Sequence, residues 1–265
     1  MNDTDFTGRR VLVVGGSSGI GNGIAHGFKE RGARVHVWGT RPEAADYEGE
    51  DGSCLVGLGY TQVNAASSEA IAAAPLPFED GLDVLVHSQG AVLYGRKEFQ
   101  PTGWDKVMAV NLDSIMHISM RLHEQLAASK GSVIVVSSIG AFRSTVANPA
   151  YAASKAGAVS LVRTLGQAWA GEGIRVNGIA PSLVDTKMTK VTMDHMPSPG
   201  DIKFFHTDVI PRLGEEVVIY YYQDSQNNTH VSLCTHTWFN ATMNCTLRQT
   251  YNHTSHISAF TSAYF

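Results

Sequence analysis

Cysteine, long apolar runs and excess charge are all scarce in this chain. Its 265 residues include three cysteines, and Cys54 alone precedes residue 217, so no disulfide framework is expected there. No apolar stretch approaches the roughly 20 residues that span a bilayer. The formal net charge of −4 gives no electrostatic reason to expect a nucleic acid or an anionic membrane as a partner. The polar N-terminus lacks the features of a signal peptide, and a cytoplasmic protein is therefore expected.

The C-terminal segment 217–265 contains no glycine, proline or lysine, although the whole chain has 26 glycines. This break in composition predicts a domain at residues 1–216 and an atypical C-terminal segment at 217–265. Within that segment, Val217 to Tyr222 has the β-branched and aromatic content of a strand and is a candidate for pairing with a sheet edge. Its histidines and cysteines match the spacing of no familiar zinc finger, and no metal site is predicted.

Apolar runs alternate with helical patterns along the first domain. Strands are predicted around residues 11–14, 35–38, 82–86, 133–136 and 174–179, and helices up to about Arg31, around 104–128 and from about Tyr151 to Gly171. Strands separated by helices of this length specify a parallel, doubly wound sheet. We expect a Rossmann-like, three-layer α/β/α fold with helices on both faces. Right-handed crossovers then place the loops after the strands at one edge, where ligands bind.

A glycine-rich loop, Gly-Gly-Ser-Ser-Gly-Ile-Gly at residues 15–21, follows the first predicted strand. Glycines let the backbone approach a pyrophosphate, and the N-terminus of the next helix offers amide hydrogens and the positive end of its dipole. An ordinary tight turn is the alternative. The position between a strand and a helix favours dinucleotide binding.

Tyr151 and Lys155 are four residues apart in a predicted helix and therefore share a face. The ammonium can then lie beside the phenol and favour its ionised form, which makes a tyrosine usable as an acid–base. Ser138 stands 13 residues earlier, after a buried strand that delivers its hydroxyl to the edge of the sheet. A solvated Tyr–Lys pair is the ordinary alternative, but the combination with Ser138 and the glycine loop favours catalysis.

Together these motifs resemble the short-chain dehydrogenase/reductase family. The resemblance covers residues from about 10 to 216 and includes Asn111, the Ile-Arg-Val-Asn segment at 174–177, Pro181 and Thr186. Family members continue with a helix and a final strand, in place of which this chain carries the segment 217–265. The resemblance implies an NAD(P)-dependent oxidoreductase that acts on CH–OH groups and interconverts a ketone and a secondary alcohol.

The resemblance also implies a role for each motif residue. Tyr151 would be the general acid or base, Ser138 would hydrogen-bond the substrate oxygen, and Lys155 would lower the pKa of Tyr151 and hold the nicotinamide ribose. Asn111 would interrupt its helix to bind a water that connects Lys155 to solvent. None of these roles needs a metal. The residues expected to contact the cofactor are Gly15, Ser17, Ser18, Gly19, Ile20, Gly21, Thr40, Arg41, Asn64, Ser88, Gly90, Tyr151, Lys155, Pro181 and Thr186.

The segment after the second predicted strand bears on the choice of cofactor. It reads Trp-Gly-Thr-Arg-Pro at residues 38–42, with no carboxylate before Glu43. An acidic residue there would accept hydrogen bonds from the ribose 2′-hydroxyl of NAD. Thr40 and Arg41 suit a 2′-phosphate instead, so NADP(H) is expected in preference to NAD(H). The alternative is that Arg41 points into solvent.

Departures from the family pattern leave a second function open. His87–Gly90 stands where two asparagines, an alanine and a glycine are usual, and His87 is expected to be a hydrogen-bonded structural residue. The altered C-terminal segment allows a dinucleotide-binding module with an incomplete substrate pocket and little or no turnover. For the enzyme, the resemblance implies a small carbonyl or alcohol substrate and a homodimer, with a tetramer as the alternative.

Overall fold

The computed structural model describes residues 5–142, 145, 147–182 and 184–191 in full, and the backbone of strands at 215–223, 229–239, 242–252 and 257–258. The strands are β1 (Arg10–Val14), β2 (Arg34–Gly39), β3 (Gly59–Gln62), β4 (Val84–His87), β5 (Ser132–Val136), β6 (Arg175–Ile179), β7 (Glu215–Gln223), β8 (Thr229–Phe239), β9 (Thr242–Asn252) and β10 (Ile257–Ser258). The helices are α1 (Gly19–Glu30), α2 (Ser68–Ala73), α3 (Pro101–Met108), α4 (Ser114–Arg121), α5 (His123–Ser129) and α6 (Pro149–Ala168).

Six parallel strands form the central part of the sheet. Their order is β3-β2-β1-β4-β5-β6, and every neighbouring pair is parallel. This order grows outward from β1 in both directions, as a doubly wound sheet does, and the predicted Rossmann-like fold is confirmed. The sequence pattern does not predict β3, because Gly-Tyr-Thr-Gln lacks an apolar run.

Both faces of the six-stranded parallel part of the sheet are covered. Val11 and Val13 of β1 belong to a buried cluster that includes Ala25 of α1. Leu12 and Val14 belong to a second cluster, to which α2, α4, α5 and α6 contribute. Because successive side chains of a strand point to opposite faces, one strand supplies both cores. The near-continuous apolar sequence of β1 is the consequence of this double burial.

The helix predicted around residues 104–128 is divided in the structure. α3 continues into a π-helical turn at Ala109–Asp113, α4 follows directly, and Leu122 separates α4 from α5. A single π turn inside an α-helix is a common feature of functional sites. Asn111 lies in the middle of this turn.

Strand β7 extends the sheet beside β6. The pair is parallel, with Ile179 opposite Val217, which agrees with the edge pairing considered for Val217–Tyr222. β8, β9 and β10 follow as antiparallel neighbours, so the described strands form one ten-stranded sheet. β7 spans residue 216, and the division into 1–216 and 217–265 stays a prediction.

Candidate active site

A cleft of about 280 Å³ lies at the carboxyl edge of the parallel strands. Loops after β1, β2, β3, β4 and β5 form its wall, together with the start of α1 and α6 and the turn at Thr186–Met188. Predicted cofactor residues that line it are Gly15, Ser17, Ser18, Gly19, Ile20, Gly21, Thr40, Asn64, Ser88, Gly90, Tyr151, Lys155 and Thr186. The predicted residues Arg41 and Pro181 lie outside this wall, and the Pro181 carbonyl accepts a hydrogen bond from the backbone of Ile139 at 3.1 Å.

The glycine loop is packed too closely to carry side chains at two positions. Gly15 has a φ of +75°, and a Cβ there would lie 2.6 Å from the backbone nitrogen of Gln89. A Cβ on Gly21 would lie 2.3 Å from the carbonyl oxygen of Gly15. The Ser18 side chain makes no capping hydrogen bond at the N-terminus of α1, so it does not compete for the amides of the first turn. A backbone cradle at a helix N-terminus fits a pyrophosphate.

Arg41 is held by acidic and aromatic neighbours. Its guanidinium pairs with Glu50 and lies 4.5 Å from the centre of the Tyr47 ring. Lys187, in the wall of the cleft, pairs with the same Glu50 carboxylate at 3.2 Å. Arg41 and then Lys187 lower the pKa of Glu50. A carboxylate from the loop after β2 therefore lies beside Arg41.

Asn111 is 1% exposed and joins the loop after β4 to α6. Its Nδ2 donates to the Ala91 carbonyl at 2.9 Å and to Ser154 Oγ at 3.0 Å. Its Oδ1 accepts from the Ala91 backbone nitrogen at 2.7 Å. A Cβ built on Gly90 would lie 3.8 Å from both Asn111 Oδ1 and Lys155 Nζ. The amide and the ammonium therefore approach the same point beside the cleft.

Ser138, Tyr151 and Lys155 meet at the inner end of the cleft. Lys155 is 5% exposed, and its Nζ lies 5.8 Å from the centre of the Tyr151 ring. That Nζ donates to the Val136 carbonyl of β5 at 2.9 Å. Ser138 lies beside Tyr151, since a Cβ built on Gly140 would lie 3.4 Å from Ser138 Oγ and 3.5 Å from Tyr151 Cε1. Ser138 Oγ also accepts a hydrogen bond from the Gly140 backbone nitrogen at 3.1 Å. The structure thus brings the predicted catalytic serine, tyrosine and lysine together.

Burial dominates the pKa values at this end of the cleft. It raises the pKa of Tyr151, whereas Ser138 lowers it, and the negative charge of Glu98 and that of Tyr94 in its ionised form raise it further. Burial also lowers the pKa of Lys155 to about 8. The expected lowering of the Tyr151 pKa is therefore not found. Lys155 directs its hydrogen bond to a backbone carbonyl, and a buried phenolate is disfavoured.

The sequence analysis does not predict several charged residues at the site, because their contacts join segments that are distant in the sequence. Glu98, 1% exposed, accepts a hydrogen bond from the Tyr151 backbone nitrogen at 2.9 Å across 53 residues of chain. Glu50 and Lys187 meet across 137 residues. No spacing rule links such positions. A glutamate in a polar segment such as Arg96–Phe99 reads as a surface residue until its burial is known.

His87 is a structural residue, as expected. It is 1% exposed, and its Nε2 hydrogen-bonds with Ser119 Oγ at 2.9 Å. Its Nδ1 lies 3.2 Å from Gln89 Nε2, so both ring nitrogens have partners. Burial lowers the pKa of His87 to about 3, which keeps the ring neutral near pH 7.

Comparison with known proteins agrees with this geometry. A family model described as short chain dehydrogenase matches residues 9–197, more than half of the chain. The chain therefore belongs to the short-chain dehydrogenase family, whose members are oxidoreductases with a nucleotide-binding Rossmann fold. Over the stretches that the structure describes, every helix is too short or too polar to cross a membrane.

Individual relatives are similar over about 70% of the chain. The 3-oxoacyl-[acyl-carrier-protein] reductase FabG of Chlamydia muridarum is 33% identical over 198 residues, covering 71% of this chain and 79% of that protein. The 2-dehydro-3-deoxy-D-gluconate 5-dehydrogenase of Pseudoalteromonas atlantica is 34% identical over 193 residues, covering 69% and 75%. The solved RhlG/NADP active-site complex of Pseudomonas aeruginosa has a TM-score of 0.65 at 30% identity, covering 75% of this chain and 81% of that one.

Proposed function

We propose that this protein is an NAD(P)-dependent oxidoreductase that interconverts a ketone and a secondary alcohol, with Tyr151 as the general acid or base. The placement of Tyr151 carries the proposal, because its phenol lines the same cleft as the glycine loop and lies beside Ser138. The named relatives, which include a reductase and a dehydrogenase, support the same reaction type.

When bound, the nicotinamide supplies the hydride for reduction or accepts it in oxidation. In reduction, Tyr151 gives its phenolic proton to the carbonyl oxygen as that oxygen gains negative charge. The raised pKa of Tyr151 keeps this proton in place at neutral pH. Ser138 hydrogen-bonds the same oxygen, the kind of preorganised contact that stabilises a transition state. Oxidation of the alcohol follows the reverse path, with the phenolate taking the proton.

Lys155 and Asn111 support this proton transfer in our proposal. Lys155 is oriented by the Val136 carbonyl and is placed to hold the ribose hydroxyls of the cofactor. Asn111 sits in the π-helical turn, and its approach to Lys155 near Gly90 supports a relay of protons through water. The glycine loop and the N-terminus of α1 would hold the pyrophosphate.

NADP(H) is the preferred cofactor in this proposal. Thr40 lines the cleft and Arg41 follows it directly at the end of β2, where a 2′-phosphate would lie. Solved relatives described as NADP complexes support the choice. The Glu50 carboxylate opposes it, because it already pairs with both Arg41 and Lys187. A 2′-phosphate would have to compete with Glu50 for these cations.

The expected assembly in this proposal is a homodimer.

A second candidate function rests on the extent of the family match. That match ends at residue 197. Strands β7 to β10, which extend the sheet, all lie beyond this residue and outside the match. A dinucleotide-binding module with an incomplete substrate pocket would bind NADPH without turnover. The two functions differ in one measurable property, the oxidation of bound NADPH by a ketone.

The test is Tyr151→Phe, which removes the proton donor and keeps the ring. NADPH and NADH titrations followed by nicotinamide fluorescence should give nearly unchanged affinity. Turnover with a panel of ketones should fall by about 10²- to 10⁴-fold, the usual contribution of a general acid. Tyr94→Phe is the matched comparison, because it removes a neighbouring phenol, which donates to the Met188 carbonyl, and leaves the proposed proton donor in place. Turnover should fall far less in Tyr94→Phe than in Tyr151→Phe. Turnover that survives Tyr151→Phe would overturn the mechanism, and NADPH binding without turnover in the natural chain would favour the binding module.

A further inference from the structure

Glu98 is a buried carboxylate that the proposed mechanism does not use. It is 1% exposed and lies in the short helical turn Lys97–Phe99 between β4 and α3. Burial of a carboxylate is costly unless the group is paired or hydrogen-bonded. Partners for this carboxylate are therefore expected beside the start of α6, where Glu98 lies.

Glu98 receives hydrogen bonds from several backbone and side-chain donors. Its Oε2 accepts from the Tyr151 backbone nitrogen at 2.9 Å. Its Oε1 accepts from the Leu93 backbone nitrogen at 2.9 Å and from Asn148 Nδ2 at 3.2 Å. These neighbours all donate, which suits an ionised carboxylate, since that group can only accept. The negative charge also faces the positive end of the α6 dipole.

The same contacts connect the segments around the reacting end of the cleft. Asn148 Nδ2 also donates to the Leu93 carbonyl at 3.1 Å, which closes a small ring of hydrogen bonds through Glu98. One carboxylate thus fixes the loop after β4, the residue before α6 and the backbone of Tyr151 relative to one another. The phenol extends from this fixed backbone towards Ser138.

We propose that Glu98 is a positioning residue that fixes Tyr151 in its reactive geometry and favours the protonated, proton-donating form of the phenol. This inference rests on the proposed function of Tyr151. The position of the helix end sets the distance from the phenol to the substrate oxygen. The negative charge of Glu98 disfavours a second negative charge on the nearby phenolate.

The groups around Tyr151 define the electrostatic side of this proposal. Tyr94 and Glu98 approach from the segment after β4, and the negative charge of Glu98 and that of Tyr94 in its ionised form add to burial in raising the pKa of Tyr151. Ser138, after β5, lowers this pKa. Lys155, one turn further along α6, lies against the ring. Removing the charge of Glu98 should therefore make the phenol more acidic.

The test compares Glu98→Gln with Glu124→Gln, a control on the exposed face of α5. The Glu98→Gln substitution keeps the size of the side chain, removes its charge and turns an NH₂ group towards a donor. We expect ketone reduction to fall by about 10- to 100-fold, the effect of a small misplacement of a reacting group. The alkaline limit of reduction should also move to lower pH. A loss of rate with an unmoved pH profile would overturn the electrostatic role, and an unchanged rate and profile would overturn both roles.

A second measurement separates this inference from the proposed function. Ultraviolet titration of tyrosinate formation in the cofactor-free protein, with the Tyr151→Phe titration subtracted, reports the ionisation of Tyr151 without turnover. The midpoint should lie at lower pH in Glu98→Gln than in the natural protein, and a midpoint that stays in place would overturn the inference. Absence of turnover in the natural protein would overturn the proposed function alone.

Should Glu98→Gln fail to fold, Glu98→Asp provides a second test, because it keeps the charge on a shorter side chain. We expect reduced turnover and a tyrosinate midpoint close to that of the natural protein. Full turnover of Glu98→Asp would overturn the positioning role.

Discussion

The two ends of the cleft differ in how far their charges are exposed to water. At the outer end, Lys187 in the wall is 69% exposed, and its neighbours Glu50 and Arg41, which lie outside the wall, are both 31% exposed. At the inner end, Lys155 is 5% exposed and Tyr151 lies beside Ser138. Exposed ion pairs are screened and contribute little, whereas burial shifts a pKa by whole units. In the proposed function, the inner end therefore carries the chemistry, and the outer end selects the cofactor by small free-energy differences.

The largest expected effect comes from removing the buried charge with Lys155→Met. Turnover should fall by about 10²-fold or more if the lysine supports proton transfer. Stability gives a readout independent of activity. The folded protein releases this proton at about pH 8, before the unfolded chain does near the ordinary value of 10.5. The contribution of Lys155 to stability should therefore rise as the pH increases from about 8 to about 10, because the cost of burying the ammonium disappears.

Urea unfolding at pH 8 and at pH 10 measures this effect. The difference in the free energy of unfolding between the natural protein and Lys155→Met should grow in favour of the natural protein over that interval. Lys106→Met, at an exposed position of α3, is the control and should follow the natural protein. If the free energy of unfolding changes equally with pH in the natural protein and in Lys155→Met, the ammonium is hydrated. The difference in exposure of charges between the two ends of the cleft would then be lost.

Between the two ends, Gly15→Ala should weaken nucleotide binding. The new methyl group would meet the Gln89 backbone at 2.6 Å, and the φ of +75° is unfavourable for alanine. We expect the affinity for NADPH to fall by about 10-fold or more, from strain of about 1–3 kcal/mol at this position. Gly23→Ala is the matched control in α1, where a Cβ meets nothing within 4 Å. An unchanged fluorescence titration for Gly15→Ala would rule out the cradle as the pyrophosphate site.

The smallest expected effect is at the outer end, with Glu50→Gln. Loss of the carboxylate leaves Arg41 and Lys187 available to a 2′-phosphate, while the 2′-hydroxyl of NADH gains nothing comparable. The ratio of NADPH to NADH affinity should rise by about two- to fivefold, in keeping with the small energies of exposed pairs. Glu48→Gln, exposed in the same loop, should leave the ratio unchanged. An equal change in both affinities would show that Glu50 acts on the loop and not on selection.

Much of the fold follows from local pattern, because strands buried on both faces are nearly continuous apolar runs. β1, β4 and β5 carry such runs and are predicted, whereas β3 carries none and is missed. The glycine loop and the Tyr151–Lys155 pair are also predictable, since their geometry depends on spacing within one element. The turn at Ala109–Asp113 lies where the resemblance implies that Asn111 interrupts its helix, whereas the second break, at Leu122, is visible only in the structure.

The order of residues is enough to derive the doubly wound sheet, the glycine loop of dinucleotide-binding type and the motif that contains Ser138, Tyr151 and Lys155. The electrostatics of that motif arise only in the folded chain. The upward shift of the Tyr151 pKa, the lysine–carbonyl bond, the Glu98 carboxylate behind Tyr151 and the Glu50 carboxylate on Arg41 all depend on contacts between distant segments. The physical reason is that a pKa is set by burial and by charges in space, and neither can be read from the order of residues.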